Sequence, residues 1–199
     1  MNRDALIEHW KREENEPFQG WNFSHLEGRV FQENLPWDYV ATARARVADA
    51  RSILDMATGG GEVFSKLGPF QGSATAMEGY APNVALAEKR LQPLGVKVVA
   101  CGEAGPYPFA DSSFDLVLNR HGGLWSPEVG RITRDGAYLV TEQVGGCLEE
   151  VQSACGAPKP WAENTLPFVS EKLSAQGFKI LEGRTWTGKI HYQCVFHAS

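Results

Sequence analysis

Ile53-Leu54-Asp55-Met56-Ala57-Thr58-Gly59-Gly60-Gly61-Glu62 is the stretch that most restricts how the chain can fold. An apolar run ending on a carboxylate, then three consecutive glycines and a helix-forming segment, reads as strand, tight loop and helix of a nucleotide-binding α/β unit. The glycines carry the information. Without Cβ atoms they allow positive φ and let backbone N–H groups come close to a ligand, at an entropic cost. A tight strand-to-helix turn with no ligand is the plain alternative. A pyrophosphate-binding loop needs a third glycine three residues after the second, and from Gly59 and Gly61 that place falls on Phe64, which argues against a dinucleotide. A triphosphate cradle is unsupported, because no Gly-x-x-x-x-Gly-Lys-Ser/Thr occurs.

The strand–helix alternation continues from there. Ser52–Ala57 reads as the first strand and Glu62–Leu67 as the start of a helix. Ser73–Met77 follows as a strand closing on Glu78, and Asn83–Leu91 as a helix with Val84, Ala87 and Leu91 on one face. Val96–Ala100, Phe114–Asn119 and Tyr138–Thr141 give three further strands, and Trp161–Ala175 contains another helix. The stretches Phe178–Thr187 and Ile190–His197, joined through Gly188, read as an antiparallel edge hairpin. Strands separated by helical crossovers imply a right-handed, doubly wound, mostly parallel sheet, here of seven strands in a Rossmann-like α/β fold. Before residue 51, one helix is expected around Leu6, Ile7 and Trp10, ended by Pro17, and a second from near Pro36 through Val47. The aromatic link Phe18-Gln19-Gly20-Trp21-Asn22-Phe23-Ser24-His25 either folds over the ligand crevice as a lid or staples the segment to the core. With 199 residues and 43% hydrophobic content, the expectation is a single domain, residues 1–50 an N-terminal helical lid and 51–199 the core.

Charge and cysteines narrow the class. A net charge of −5 with no Lys/Arg cluster argues against a nucleic-acid partner. The start Met1-Asn2-Arg3-Asp4 has no apolar leader, and no run approaches bilayer-spanning length, so no membrane association and a cytoplasmic location are expected. Cys101, Cys147, Cys155 and Cys194 show no paired spacing and read as scattered reduced thiols. On a strand, His191 and His197 share a face while Cys194 points to the other, so these three do not converge on one ion and no metal is expected.

The glycine stretch resembles motif I of the class I S-adenosylmethionine-dependent methyltransferases, Asp-x-Gly-x-Gly-x-Gly, with Asp55 first, Ala57 in the first glycine's place, and Gly59 and Gly61 in the other two. Three later stations support the resemblance. Glu78 stands 19 residues after Gly59, where the family's carboxylate accepts from both ribose hydroxyls. Gly79 and Tyr80 open the turn that in the family lies under the adenine, and Tyr80 either meets that ring or packs on the protein. Gly102-Glu103-Ala104-Gly105-Pro106-Tyr107-Pro108-Phe109 resembles the segment whose acid and following N–H hold the adenine edge. Here Glu103 replaces Asp, so the backbone contact from Ala104 is the safer transfer. Phe109-Ala110-Asp111-Ser112-Ser113-Phe114-Asp115-Leu116-Val117 follows the family's approach to its fourth strand, and Asp115 is expected to be structural. The match covers about residues 52–145. It implies S-adenosylmethionine as cofactor, held by Asp55, Ala57, Thr58, Gly59, Gly61, Glu78, Gly79, Tyr80, Glu103, Ala104 and Asn119.

What the resemblance implies chemically is in-line methyl transfer to an oxygen or nitrogen of a small-molecule acceptor. The protein then supplies alignment and exclusion of water. A proton must leave an O–H or N–H nucleophile, and a histidine suits that task. His121, on the rim after Asn119 and Arg120, is either that base or a residue that orients the loop, and His25 is a second choice. RNA or protein as acceptor, non-catalytic binding of the cofactor, and a nucleotide-dependent oxidoreductase remain alternatives. Neither the acceptor nor the oligomeric state is legible.

Overall fold

In the computed structural model, residues 2–15, 20, 23–146, 149–157, 161 and 164–192 are described. In chain order the elements are α1 (Arg3–Glu14), β1 (Val30–Gln32), α2 (Tyr39–Val47), β2 (Ser52–Met56), β3 (Ser73–Glu78), α3 (Ala81–Leu91), β4 (Val96–Ala100), β5 (Phe114–Arg120), α4 (Ser126–Ile132), β6 (Thr133–Glu142), α5 (Glu149–Cys155), α6 (Leu166–Ser174) and β7 (Ile190–Tyr192). Five strands form one parallel sheet in the order β4-β3-β2-β5-β6. The chain winds outward on both sides of β2, so the strand order reverses beside its carboxyl end. That is where an open α/β sheet leaves a ligand crevice.

Alternation along the strands builds two cores. Ile53, Leu116 and Leu118 face one way, packing with Ala43 and Val47 of α2, Ala87 and Leu91 of α3, and Phe64. Leu54, Met56 and Val117 face the other, against Val129 and Ile132 of α4, with Met77 and Tyr107. Central strands covered on both faces explain why β2 and β5 read as nearly continuous apolar runs. At the amino end, Asp115 ties β5 to β2, its Oδ1 accepting from Ser52 N at 2.9 Å and both oxygens accepting from Arg51 N at 3.1 Å.

Several expectations need correction. The sheet has five parallel strands among the described residues, not seven. The C-terminal hairpin is not formed: residues 178–189 make no strand, and β7 pairs antiparallel with β1 in a separate two-stranded sheet, Val30 opposite Tyr192 and Gln32 opposite Ile190. The apolar residues of 178–187 do not alternate, since Ile180 and Leu181 are adjacent and both exposed, and Gly183 interrupts the run. The helix expected from Glu62 is only a 3-10 turn, Phe64–Lys66, cut short by Gly68 and Pro69. β6 starts at Thr133 rather than Tyr138, with an irregularity in its pairing between Phe114 and Leu116. The second helix starts at Tyr39 instead of Pro36, because Asp38 caps it by accepting from Ala41 N.

A helical lid is not seen in the described residues. α1 buries no residue, and Trp10 is 57% exposed. α2 packs on the sheet as part of a core layer. Phe18, Gln19, Trp21 and Asn22 of the aromatic link lie outside the described residues, as do Cys147, Cys194 and His197.

Replacing Asp115 by Ala leaves the Arg51 and Ser52 N–H groups without their acceptor and should cost about 1–3 kcal/mol of stability. Urea denaturation of the variant checks this, and an unchanged midpoint would show that Asp115 does not fasten β2.

Candidate functional site

The crevice forms where β2, β3 and β5 end. Parallel register sets Met56 beside Met77 and Asn119, so the three strands release their chains at one level. From β2 the backbone turns through Ala57, Gly59 and Gly61 with φ of 51°, 62° and 79°. Ala57 is the unusual one, because a Cβ in this left-handed region costs roughly 1–2 kcal/mol. Its methyl group fits because Gly122 lies against it; a Cβ on Gly122 would collide with the Ala57 Cβ. A Cβ on Gly61 would come within 2.8 Å of buried Leu91.

Glu78 closes the loop. Its Oε2 accepts from Gly59 N at 2.7 Å and its Oε1 from Tyr80 N at 2.8 Å, and the residue is 7% exposed. Two backbone donors offset the cost of burying the carboxylate. Each oxygen keeps a second lone-pair direction for a ligand. Gly79 lets β3 and β4 close up beyond this point, since a Cβ there would come within 2.8 Å of Gly102 Cα. Tyr80 is 55% exposed at the start of α3.

Asp55 sits under the loop. Burial pushes its carboxyl up to about 7. The Thr58 hydroxyl opposes this, the Glu78 charge adds to it, and Arg120 opposes it. Thr58 Oγ1 is itself buried and, among the described residues, has no partner in hydrogen-bonding geometry.

Glu103 and Ala104 lie on an exposed turn after β4. The Glu103 carboxylate accepts from Gly123 N at 2.6 Å and joins the turns after β4 and β5. Asn119 is fully buried and inward-turned: Nδ2 donates to Gly123 O, and Oδ1 accepts from Gln143 Nε2 and Thr141 Oγ1. His121 has φ 62°, and its Nε2 is 3.0 Å from Glu142 Oε1. His25 falls in the short 3-10 turn Ser24–Leu26, its side chain outside the described residues.

Glu142 was not foreseen. At the end of β6 its nearly buried carboxylate accepts from Trp37 Nε1 at 2.8 Å and Arg120 Nε at 3.0 Å, in addition to the His121 contact. Burial pushes this carboxyl up, but hydrogen bonds from His121 and Trp37 and the Arg120 charge outweigh it and hold it below the usual range. The one available signal is its place just after Tyr138–Thr141, as Glu78 follows Ser73–Met77. Gly20 also reaches the crevice rim, donating from N to Asn83 Oδ1 at 2.7 Å. Among the described residues, no cluster of His, Cys, Asp and Glu could hold a metal, and no helix is long and apolar enough to cross a membrane.

Residues 54–140 match the family model described as a methyltransferase domain. Solved structures share the fold. Phosphoethanolamine N-methyltransferase 2 from Haemonchus contortus, in complex with S-adenosyl-L-methionine, is 20% identical at a TM-score of 0.55, over 71% of this chain and 37% of that one. Geranyl diphosphate C-methyltransferase from Streptomyces coelicolor, in complex with S-adenosyl-L-homocysteine, is 12% identical at 0.53, over 67% of this chain and 58% of that one. The [4+2]-cyclase SpnF is 17% identical at 0.58, over 77% and 64%. No curated protein matches the chain. Residues 54–140, somewhat less than half of the chain, thus match a methyltransferase domain, and the solved methyltransferase structures share the fold.

A carboxyl whose folded value exceeds its unfolded value of about 4 binds more protons folded than unfolded, so stability falls as pH rises from about 4 to the Asp55 value of about 7. Asp55→Asn should flatten this part of the melting-temperature profile. Parallel profiles for the two proteins would contradict the assignment.

Proposed function

We propose that the protein transfers a methyl group from S-adenosylmethionine to an oxygen or nitrogen of a small-molecule acceptor. The observation that carries this reading is Glu78, buried at the tip of β3 with one oxygen on the Gly59 N–H and the other on the Tyr80 N–H. This sets a charged acceptor beside a side-chain-free loop at the strand-order reversal, the arrangement a nucleoside needs.

The residues present fit such a cofactor. The Thr58 hydroxyl is buried without a partner among the described residues. Gly59 and Gly61 take left-handed backbone and add no side chain to the loop. Glu78 would take the ribose hydroxyls, with Gly79 giving the backbone room to turn. Tyr80 would lie against the adenine, and Ala104 N–H, with Glu103 beside it, would meet the ring edge. Asp55, Ala57 and Thr58 would border the methionine end, and Asn119 would form the crevice floor. When bound, the cofactor supplies an electrophilic sulfonium methyl group.

The chain's part is to align the acceptor, exclude water and move a proton. His121 is the base in this reading. Its Nε2 is 3.0 Å from Glu142 Oε1, so a proton taken up by the ring leaves an imidazolium held by that carboxylate. The fold alone does not choose the acceptor atom, since the similar structures include an N-methyltransferase, a C-methyltransferase and a cyclase.

Calorimetry with S-adenosylhomocysteine should give binding to the wild type that weakens about tenfold, or about 1.4 kcal/mol, in Glu78→Gln. Equal affinities would refute the ribose assignment. With an acceptor found by screening metabolites against labelled cofactor, His121→Asn should lower kcat by about 100-fold or more at unchanged cofactor affinity. A variant as fast as wild type would remove His121 as base.

A further inference from the structure

Next to the crevice lies a cavity of about 400 Å³, bounded by the start of α2, Val63 after the glycine loop, and the ends of β5 and β6. Leu35, Trp37, Val40 and Val63 give it apolar walls, and Asn34, Asp38, Tyr39, Arg120 and Glu142 bring the polar groups. Its volume suits a small organic molecule.

Two hydrogen-bond donors there lack acceptors. Arg120 uses Nε on Glu142, with its guanidinium 5.9 Å from the centre of the Tyr39 ring. Among the described residues neither terminal nitrogen of that guanidinium has a hydrogen-bond partner. The Tyr39 hydroxyl is buried and, among the described residues, likewise has none. Burial, reinforced by the charges of Asp55 and Glu142, pushes this phenol up and keeps it protonated, hence able to donate. The negative charge of Glu142 is already met by Trp37, Arg120 and His121. Asp38 Oδ1 is taken by Ala41 N, and the donors left for a ligand to meet are those of Arg120 and Tyr39.

We propose that this cavity receives the methyl acceptor, and that the acceptor is a small carboxylate with an apolar body, its carboxylate bonded by the terminal nitrogens of Arg120 and the hydroxyl of Tyr39. A planar, two-oxygen anion matches a guanidinium edge. The proposal rests on the methyl-transfer reading for the cavity's purpose. A carboxylate could also come from the methionine end of the cofactor. Val63 is the cavity's one lining residue from the loop region, and Asp55, Ala57 and Thr58, which would border the methionine end, do not line it, which favours the acceptor.

The test titrates 3-phenylpropanoate and its neutral amide into the protein, with and without S-adenosylhomocysteine, by calorimetry. The acid should bind at least about tenfold more tightly than the amide, and Tyr39→Phe and Arg120→Gln should each weaken the acid about tenfold. Both variants should keep wild-type affinity for S-adenosylhomocysteine. Equal binding of acid and amide, or no binding of the acid at millimolar concentration, overturns the proposal. So does a loss of S-adenosylhomocysteine affinity with unchanged affinity for 5′-methylthioadenosine, which lacks the amino-acid end; the carboxylate would then be the cofactor's. A wild type that ignores S-adenosylhomocysteine but still prefers the acid would sink the methyl-transfer reading while leaving the carboxylate site standing.

Discussion

Glu78 holds the crevice together by pairing with two backbone N–H groups that belong to different connections, one leaving β2 and one entering α3. The bridge is possible only because β2 and β3 run parallel in a register that ends them together, with Met56 beside Met77. A slip of one residue would turn the carboxylate to the other face of the sheet. The loop cannot be held by its own side chains, since its centre is Gly59, Gly60 and Gly61. An ionised group therefore fixes a segment whose composition otherwise leaves it free, and the backbone donors in turn make burial of that charge tolerable.

Glu142 does the corresponding work on the other side of β2. It gathers Trp37 from before α2, and Arg120 and His121 from the end of β5, around one carboxylate. Where Glu78 orders backbone, Glu142 orders side chains. The fold is shared with proteins of differing chemistry, so what distinguishes this chain is in groups of this kind rather than in the sheet.

Much of the first half of the core is legible locally. Val96–Ala100 forms a strand with the expected limits, and Glu78 ends its strand beside the glycine loop as its spacing from Gly59 implies. Those features depend on short-range patterns: an apolar run, a glycine cluster, an acid at a strand end. The Tyr39, Arg120 and Glu142 grouping brings Tyr39 to residues that lie 81 and 103 positions further along the chain, and no spacing in one sequence announces that kind of meeting. The pairing of Val30–Gln32 with Ile190–Tyr192 is hidden for the same reason. The expected hairpin fails for another reason: residues 178–187 have the apolar content of a strand, but Ile180 and Leu181 break the alternation. Asn119 illustrates a subtler limit: its position at the rim was readable, but not that its amide would be spent on Gly123, Thr141 and Gln143.

Ala57 and Gly122 make a mutually dependent pair. The methyl group at 57 occupies the space that a side chain at 122 would need, while its own backbone sits in a conformation better suited to glycine. Position 122 alone would look intolerant of change, yet the two could trade: glycine at 57 would relieve the backbone and open room for alanine at 122. Substitution effects here should then be non-additive, and a lineage could drift between the two solutions only by passing through the state with glycine at both sites.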